Sequence, residues 1–169
     1  GSLLSRPEIR LTLQKADCVS EKIDAIDERN WRRINRPHSD LRLDVVLNGI
    51  KLFAKEYSGV LTTETMMVKD LNDTKESIIG LRNFVSSLNP WKAYLAVPTR
   101  PPAEKTIGRP AADVMTCAYH LFKAKISEVD GLIEYEDAEC SSTATVLQDG
   151  HRTASDHPLR EKAVNLTLE

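Results

Sequence analysis

Three charged residues, Lys22, Asp24 and Glu64, lie where their side chains could act together. Residues 17–25 alternate between polar and apolar, and residues 60–68 are rich in β-branched side chains, so both stretches are predicted strands. Parallel neighbours lie about 4.8 Å apart, which would let Lys22 and Glu64 pair across the sheet. In a complete barrel, polar groups at the carboxyl ends of strands line a ligand cavity. If only half of such a barrel is present, this face of the sheet is exposed to solvent. We favour this simpler interpretation, in which Lys22, Asp24 and Glu64 are solvated charges.

Two lysines, Lys22 and Lys69, could instead form a Schiff base with a carbonyl substrate. That chemistry needs a lysine whose pKa is lowered in an apolar pocket. Carboxylates at Asp24 and Glu64 would raise the pKa of a nearby lysine. A Schiff-base lyase is therefore the weaker hypothesis.

Two loop residues, Asn72 and Arg100, are further candidates for a binding site. Asn72 follows the strand predicted at 60–68, although Asp73 or Thr74 next to it would also explain the loop by capping the following helix, which we prefer. Arg100 lies in the proline-rich segment PTRPPAE, where a stiff loop could present it to a carboxylate or a phosphate. It could equally be a surface arginine in a linker, and both interpretations stay open.

The elements that would position these residues alternate between helix and strand. Apolar spacing predicts helices over about 7–16, after Asp27, from Asp40 to Tyr57, before Asn89 and from Pro110 onward. Strands are predicted at 17–25, 60–68, 91–97 and, more weakly, 131–136. Such alternation implies parallel pairing through right-handed crossovers. We therefore predict an α/β fold, an open parallel sheet of about four βα units with helices on one face.

The bulk properties exclude several classes of protein. The 169 residues suffice for one domain with a core, and a net charge of −2 gives no bias toward nucleic acid or anionic lipid. No signal peptide or long apolar run is present, so we expect a soluble, cytoplasmic protein without a membrane partner. Cys18, Cys117 and Cys140 are widely spaced and form no CxxC or CxxxCxxC run. We predict a βα repeat domain over 1–136 and a polar C-terminal tail with a short helix over 137–169.

Five stretches of the chain, in order, resemble one branch of the radical S-adenosylmethionine (radical-SAM) Fe–S oxidoreductases, similar to tRNA wybutosine-synthesis enzymes. They are GSLLSRPEIR, KIDAIDERNWRRINRPH, ETMMVKDLNDTKESI, VPTRPPAE and HPLREKAV. The resemblance implies a partial TIM barrel of six strands, with a CxxxCxxC loop after the first strand for a [4Fe–4S] cluster that binds S-adenosylmethionine. It begins near the end of the third strand, so this chain resembles strands four to six and the tail.

The resemblance implies that the cluster loop lies upstream and that this chain alone holds no cofactor. The parent protein would hold the [4Fe–4S] cluster and S-adenosylmethionine. The chain would then be a C-terminal fragment that supplies the substrate-side and adenosyl-side wall of the barrel and is inactive alone. Its cofactor-binding candidates are Lys22, Asp24, Glu64, Asn72 and Arg100. It departs from the family pattern at Lys22 (where the family has Ser), at Asp70 (Gly) and at Ala96-Val97 (Asn-Thr).

The partners that we expect are inferred from the half of the barrel that this chain would lack. Half a barrel leaves an unpaired strand edge and exposed apolar surface, so we expect self-association or docking to the N-terminal half. A non-enzymatic module that docks to a partner chain is therefore an alternative function. The resemblance alone suggests tRNA as a partner, and the net charge of −2 does not support it.

Overall fold

A computed structural model describes residues 1–98 and 107–132. Gly1–Ile133 belong to one compact unit. The helices in the described part are α1 (Pro7–Leu13), α2 (Glu28–Asn35), α3 (Leu43–Glu56), α4 (Lys75–Ser87) and α5 (Ala112–Lys123). The strands are β1 (Cys18–Lys22), β2 (Val60–Met66), β3 (Lys92–Ala96) and β4 (Val129–Leu132).

The strands form one sheet in the order β1-β2-β3-β4, with every neighbouring pair parallel. Each crossover carries at least one helix, as parallel pairing requires. The register places Lys22 opposite Glu64, Glu64 opposite Tyr94, and Tyr94 opposite Asp130. The prediction of an α/β fold with an open parallel sheet of βα units is therefore confirmed.

The two faces of the sheet differ in chemistry. On one face Leu61, Ala93 and Leu95 are buried in a core that also holds Phe53 and Phe122 from the helices. The register row Lys22, Glu64, Tyr94 and Asp130 lies on the other face, where its members are half-buried or exposed. We call this second face the open face, and the four residues the open-face row. The open-face row is polar, so the apolar surface expected of half a barrel does not lie there.

Several predicted boundaries were wrong. Helix α3 begins at Leu43 after the N-cap residue Arg42, because Asp40 lies in a turn where its backbone N–H donates to His38 Nδ1 at 3.3 Å. Helix α5 begins at Ala112, because Ala111 is extended with ψ 152° and Pro110 cannot open the helix across it. Strand β4 begins at Val129, two residues before the predicted strand.

Several predicted features fall on residues outside the described ranges. These features are Arg100, the tail over 137–169 with the short helix predicted in it, and residues 133–136 of the weakest predicted strand. Their predictions, including the domain boundary at 136, stay predictions. Among residues 1–98 and 107–132, no helix is both long and apolar enough to cross a membrane.

Candidate functional site

The pairing predicted between Lys22 and Glu64 is present at the carboxyl end of β1. Lys22 Nζ donates to Glu64 Oε1 at 2.9 Å and lies 3.2 Å from Asp24 Oδ1. The Lys22 side chain is 45% exposed and the Glu64 side chain 38% exposed. The pair therefore belongs to the sheet yet keeps surface on which a ligand can bind.

Asp24 differs from this pair because its side chain is fully buried. Its Oδ1 accepts a hydrogen bond at 2.8 Å from the backbone N–H of Met66, the last residue of β2. Its Oδ2 accepts from Asn35 Nδ2 of α2 at 2.7 Å. Both carboxylate oxygens are thus engaged inside the protein, and Asp24 joins the end of β1 to β2 and to α2.

Asn72 is buried beside Asp24 and uses its whole amide group. Its Nδ2 donates to the backbone carbonyls of Asp24 and Met66, each at 2.8 Å, and its Oδ1 accepts from the Val68 N–H at 2.7 Å. These bonds satisfy buried backbone groups at the exits of two strands. Asn72 therefore holds the carboxyl ends of β1 and β2 together, a structural role that its position in a loop did not reveal.

The prediction that Asp73 or Thr74 caps the helix after this loop is confirmed for Thr74. Thr74 is the N-cap of α4, and its Oγ1 accepts from the Ser77 N–H at 3.3 Å. Asp73 is not the cap. The loop therefore has two functions, since Thr74 starts the helix and Asn72 ties the strand ends.

The pKa of Lys22 is raised above its ordinary value of 10.5. Partial burial alone would lower it, but the negative charge of Asp24, with the hydrogen bond and charge of Glu64, outweighs that effect. Lys22 is therefore a protonated ammonium at neutral pH. An ammonium is suited to hold an anionic group and unsuited to attack a carbonyl.

The rim beyond β2 departs from a regular backbone. Asp70 has φ 59°, in the left-handed region that favours glycine. This is the position at which the radical-SAM resemblance expects Gly. The neighbouring Lys69 is exposed, and its backbone N–H donates to the Gly108 carbonyl at 3.0 Å, which fixes the rim to the segment before α5.

Up to Pro98, where the described residues after β3 stop, the end of this strand offers no polar side chain to a ligand. Ala96 and Val97 are buried there, 9% and 6% exposed. At the corresponding place the resemblance expects Asn-Thr, which could hydrogen-bond. Polar contacts at the described carboxyl edge are therefore concentrated on β1 and β2.

Four residues near the site escaped the sequence analysis: Asn35, Lys92, Tyr94 and Asp130. Lys92 Nζ lies 3.5 Å from Asp130 Oδ2 and 5.7 Å from the centroid of the Tyr94 ring. Lys92 and Tyr94 alternate with the buried residues of β3, so the period-two pattern of 91–97 could have placed them beside Glu64. Asn35 left no such signal, because its contact to Asp24 depends on how α2 packs.

The described residues offer no site for a metal cluster. Within 1–98 and 107–132 no group of three or more His, Cys, Asp or Glu side chains is arranged to hold a metal ion. Cys18 and Cys117 are exposed and belong to β1 and α5, and α5 connects β3 to β4, the strands farthest from β1 in the sheet. A [4Fe–4S] cluster does not fit the cysteines of this part of the chain.

Sequence comparisons relate this chain to longer proteins. No family model matches it. It is 40% identical over 170 residues to a UPF0026 protein of Methanocaldococcus jannaschii, covering 99% of this chain and 53% of the relative. The chain therefore spans about half the length of that relative.

Solved structures identify the class of fold. A domain of pyruvate-formate lyase-activating enzyme from Bacteroides vulgatus superposes with a TM-score of 0.62 at 14% identity, over 77% of this chain and 76% of that chain. A radical SAM methyltransferase from Sphaerobacter thermophilus superposes with a TM-score of 0.57 at 14% identity, over 73% of this chain and 37% of that chain. The fold of this chain is thus similar to that of radical-SAM domains. The narrower resemblance to the wybutosine branch stays a prediction.

Proposed function

We propose that this chain is the C-terminal part of a radical-SAM enzyme and that its open face forms one wall of the cavity for S-adenosylmethionine and substrate. The polar open-face row carries this proposal. A sheet face that packs against another layer of the protein is apolar, whereas a face that lines a ligand cavity can be polar. The superposition on radical-SAM domains and the greater length of the relative support it.

The site residues divide into two roles under this proposal. Lys22 and Glu64 would contact the ligand, since both are part-exposed and carry opposite charges. The Lys22 ammonium would hold a carboxylate, and Glu64 would accept hydrogen bonds from hydroxyl or ammonium groups. Asp24 and Asn72 would hold the strand ends on which these two side chains stand.

The polar groups of S-adenosylmethionine fit this pair, whereas the iron–sulfur cluster needs ligands from elsewhere. When bound together, the two cofactors would supply the radical chemistry of this class of enzyme. The chain's own residues would bind and orient the adenosyl and substrate side. The cluster ligands would come from the upstream part of a longer protein, and this chain alone would be inactive.

Anaerobic reconstitution with iron and sulfide tests where the cluster ligands lie. We expect the 169-residue chain to retain far less than the roughly four irons per chain of a [4Fe–4S] cluster. A Cys18→Ser/Cys117→Ser variant is the control, because it removes the exposed thiols that bind iron adventitiously. About four irons per chain, retained after desalting, with cleavage of S-adenosylmethionine would contradict the proposal.

Partner binding follows from the free edge of the sheet. Strand β1 has a neighbour on one side only among the described strands, so its other edge can pair with a further strand. We propose the upstream half of the protein as that partner, with a second copy of this chain as the substitute in its absence. Light scattering at increasing concentration tests this, and a monomer at every concentration would count against self-association.

The Schiff-base alternative is disfavoured by the same site. The pKa of Lys22 is raised rather than lowered, and Lys69 is exposed at the rim. Neither lysine has the apolar surroundings that activate an amine nucleophile.

A further inference from the structure

Two polar side chains are buried without a hydrogen-bond partner on the face of the sheet that packs against the helices, opposite the open face. Glu21 of β1 is 4% exposed, and Thr63 of β2 is fully buried. Neither Glu21 Oε2 nor Thr63 Oγ1 has a hydrogen-bond partner among the residues that the structure describes. Burial without a partner is costly for a hydroxyl and far more costly for a carboxylate. Groups of this kind in a folded protein point to a bound water or ion.

The two unpartnered residues lie opposite each other on neighbouring strands. The register pairs Glu21 with Thr63, and Thr63 with the buried Ala93, so these side chains project from one face of the sheet. Neighbouring strands lie about 4.8 Å apart. Oxygen ligands lie about 2.3–2.6 Å from a calcium-sized cation, so two ligands of one ion are at most about 5 Å apart. The spacing of the strands therefore allows one ion to bind both oxygens.

One positive charge already lies beside Glu21 in the structure. The Gly1 ammonium nitrogen lies 3.3 Å from Glu21 Oε2. A Cβ added to Gly1 would lie 2.7 Å from this oxygen and 2.9 Å from Ile50 Cδ1, so Gly1 fills the space between β1 and α3. Gly1 is itself exposed, which leaves a path from solvent to the carboxylate. The fold thus accommodates a cation beside Glu21, and the charge of this particular cation is lost whenever its nitrogen becomes part of an amide.

We propose that Glu21 and Thr63 form a binding site for a small monovalent metal cation, Na⁺ or K⁺, for which the Gly1 ammonium is a stand-in. A single buried carboxylate is balanced by a single positive charge, and the hydroxyl adds a neutral oxygen ligand. Within residues 1–98 and 107–132 no group of three or more His, Cys, Asp or Glu side chains is arranged to hold a metal, which disfavours a divalent ion. The ion would join β1 to β2 next to α3 and so stabilise the fold.

Thermal unfolding of the Nα-acetylated 169-residue chain tests the site, because acetylation removes the competing ammonium charge. The chain is compared at equal ionic strength in NaCl, KCl and tetramethylammonium chloride, whose methyl groups keep oxygen ligands away from the charge. We expect a Tm about 3 °C higher in NaCl or KCl, as for an ion present at a few times its Kd. The chain with a free amine should show a smaller difference, because the Gly1 ammonium already balances Glu21.

Substitutions in the acetylated chain assign this difference to the two oxygens. Glu21→Gln and Thr63→Val should each remove it, whereas Thr63→Ser keeps a hydroxyl and should retain it. Thr65→Val is the matched control, because the Thr65 hydroxyl is also buried without a partner but lies two residues farther along β2, opposite Leu95. It should leave the difference between the salts unchanged. In tetramethylammonium chloride the Thr63→Val and Thr65→Val chains should unfold at similar temperatures.

Three results would overturn the proposal. The first is an equal Tm of the acetylated chain in all three salts, which is what a bound water in place of an ion predicts. The second is a salt difference that persists in Thr63→Val, and the third is one that disappears equally in Thr65→Val. If circular dichroism shows that Glu21→Gln does not fold, the three threonine variants decide the outcome. The site lies on the face opposite Lys22 and Glu64, so its failure leaves the proposed radical-SAM function untouched.

Discussion

Two pairs of polar residues lie side by side at the carboxyl ends of β1 and β2, and they differ in what their hydrogen-bonding groups do. Asp24 and Asn72 are buried, and their side-chain groups bond to protein atoms. Lys22 and Glu64 bond to each other and remain more than a third exposed. The inner pair therefore builds the edge of the sheet, and the outer pair is available to a ligand. Residue type alone does not separate these roles, because both pairs consist of residues common in active sites.

The largest effect is expected for Asn72→Ala. It removes the Asn72 side-chain bonds to the buried Asp24 carbonyl, the part-buried Met66 carbonyl and the buried Val68 N–H, so we expect the free energy of unfolding to fall by about 3 kcal/mol or more. Urea denaturation with an unchanged m-value measures this. Thr63→Val is the matched control, since the buried Thr63 hydroxyl has no partner and its loss should cost less than about 1 kcal/mol. A cost below about 1 kcal/mol for Asn72→Ala would contradict its structural role.

Asp24→Asn should follow, with a loss of about 2 kcal/mol. The new amide would bring a donor against Asn35 Nδ2 or the Lys22 ammonium, where the carboxylate now accepts hydrogen bonds. The control is Asp27→Asn, at a helix N-cap where both residues cap equally well, and it should cost less than about 0.5 kcal/mol. Equal effects of the two substitutions in urea denaturation would remove the distinction between the buried carboxylate and an exposed one.

Asp70→Gly tests the rim beyond the inner pair and should be stabilising. The left-handed backbone at φ 59° costs a non-glycine residue about 1 kcal/mol, and glycine relieves that strain. Thermal unfolding should show a higher Tm. Asp40→Gly is the control, because Asp40 is exposed and is not among the positive-φ residues. A lower Tm for Asp70→Gly would mean that the Asp70 side chain makes a contribution larger than the strain.

The smallest effect is expected for the outer pair. A double-mutant cycle with Lys22→Met and Glu64→Gln should give a coupling energy of at most about 1 kcal/mol at neutral pH, because the pair is part-exposed. A raised pKa means that Lys22 adds stability below its ordinary value of 10.5, and this stability is lost as pH rises through the higher folded value. Lys22→Met should therefore show a weaker alkaline decline in stability than the parent chain.

The alkaline experiment needs a second substitution as background. The pKa of Tyr57 is also raised above its ordinary value of 10.0, by burial and by the nearby Cys18 and Asp17. The contribution of Tyr57 to stability is likewise lost as pH rises. The comparison with and without Lys22→Met should therefore be made with Tyr57→Phe present in both proteins. An identical alkaline decline with and without Lys22 in that background would contradict the proposed charge pairing.

The contrast between the pairs also explains what sequence could predict. The alternation over 17–25 and the β-branched residues of 60–68 predicted two neighbouring strands across which Lys22 and Glu64 could pair, and the register places these two residues opposite each other. Asn72 contacts the backbone of Asp24 across 48 residues, and no local pattern encodes such a contact. Helix starts at Asp40 and Pro110 were misplaced because capping residues are common in turns as well as at helices. Pattern therefore predicted the strands and the outer pair, whereas the inner pair depends on tertiary packing.

Chemical-shift mapping most directly tests the claim that the open face binds the adenosyl ligand. Titration of S-adenosylmethionine into the isotopically labelled 169-residue chain should shift the amide resonances of Lys22, Glu64 and Tyr94, and Lys22→Met/Glu64→Gln should abolish those shifts. Resonances of the helix-packed face, such as Leu61 and Leu95, should stay unchanged. Shifts confined to the helices, or an unchanged spectrum at millimolar ligand, would contradict the account.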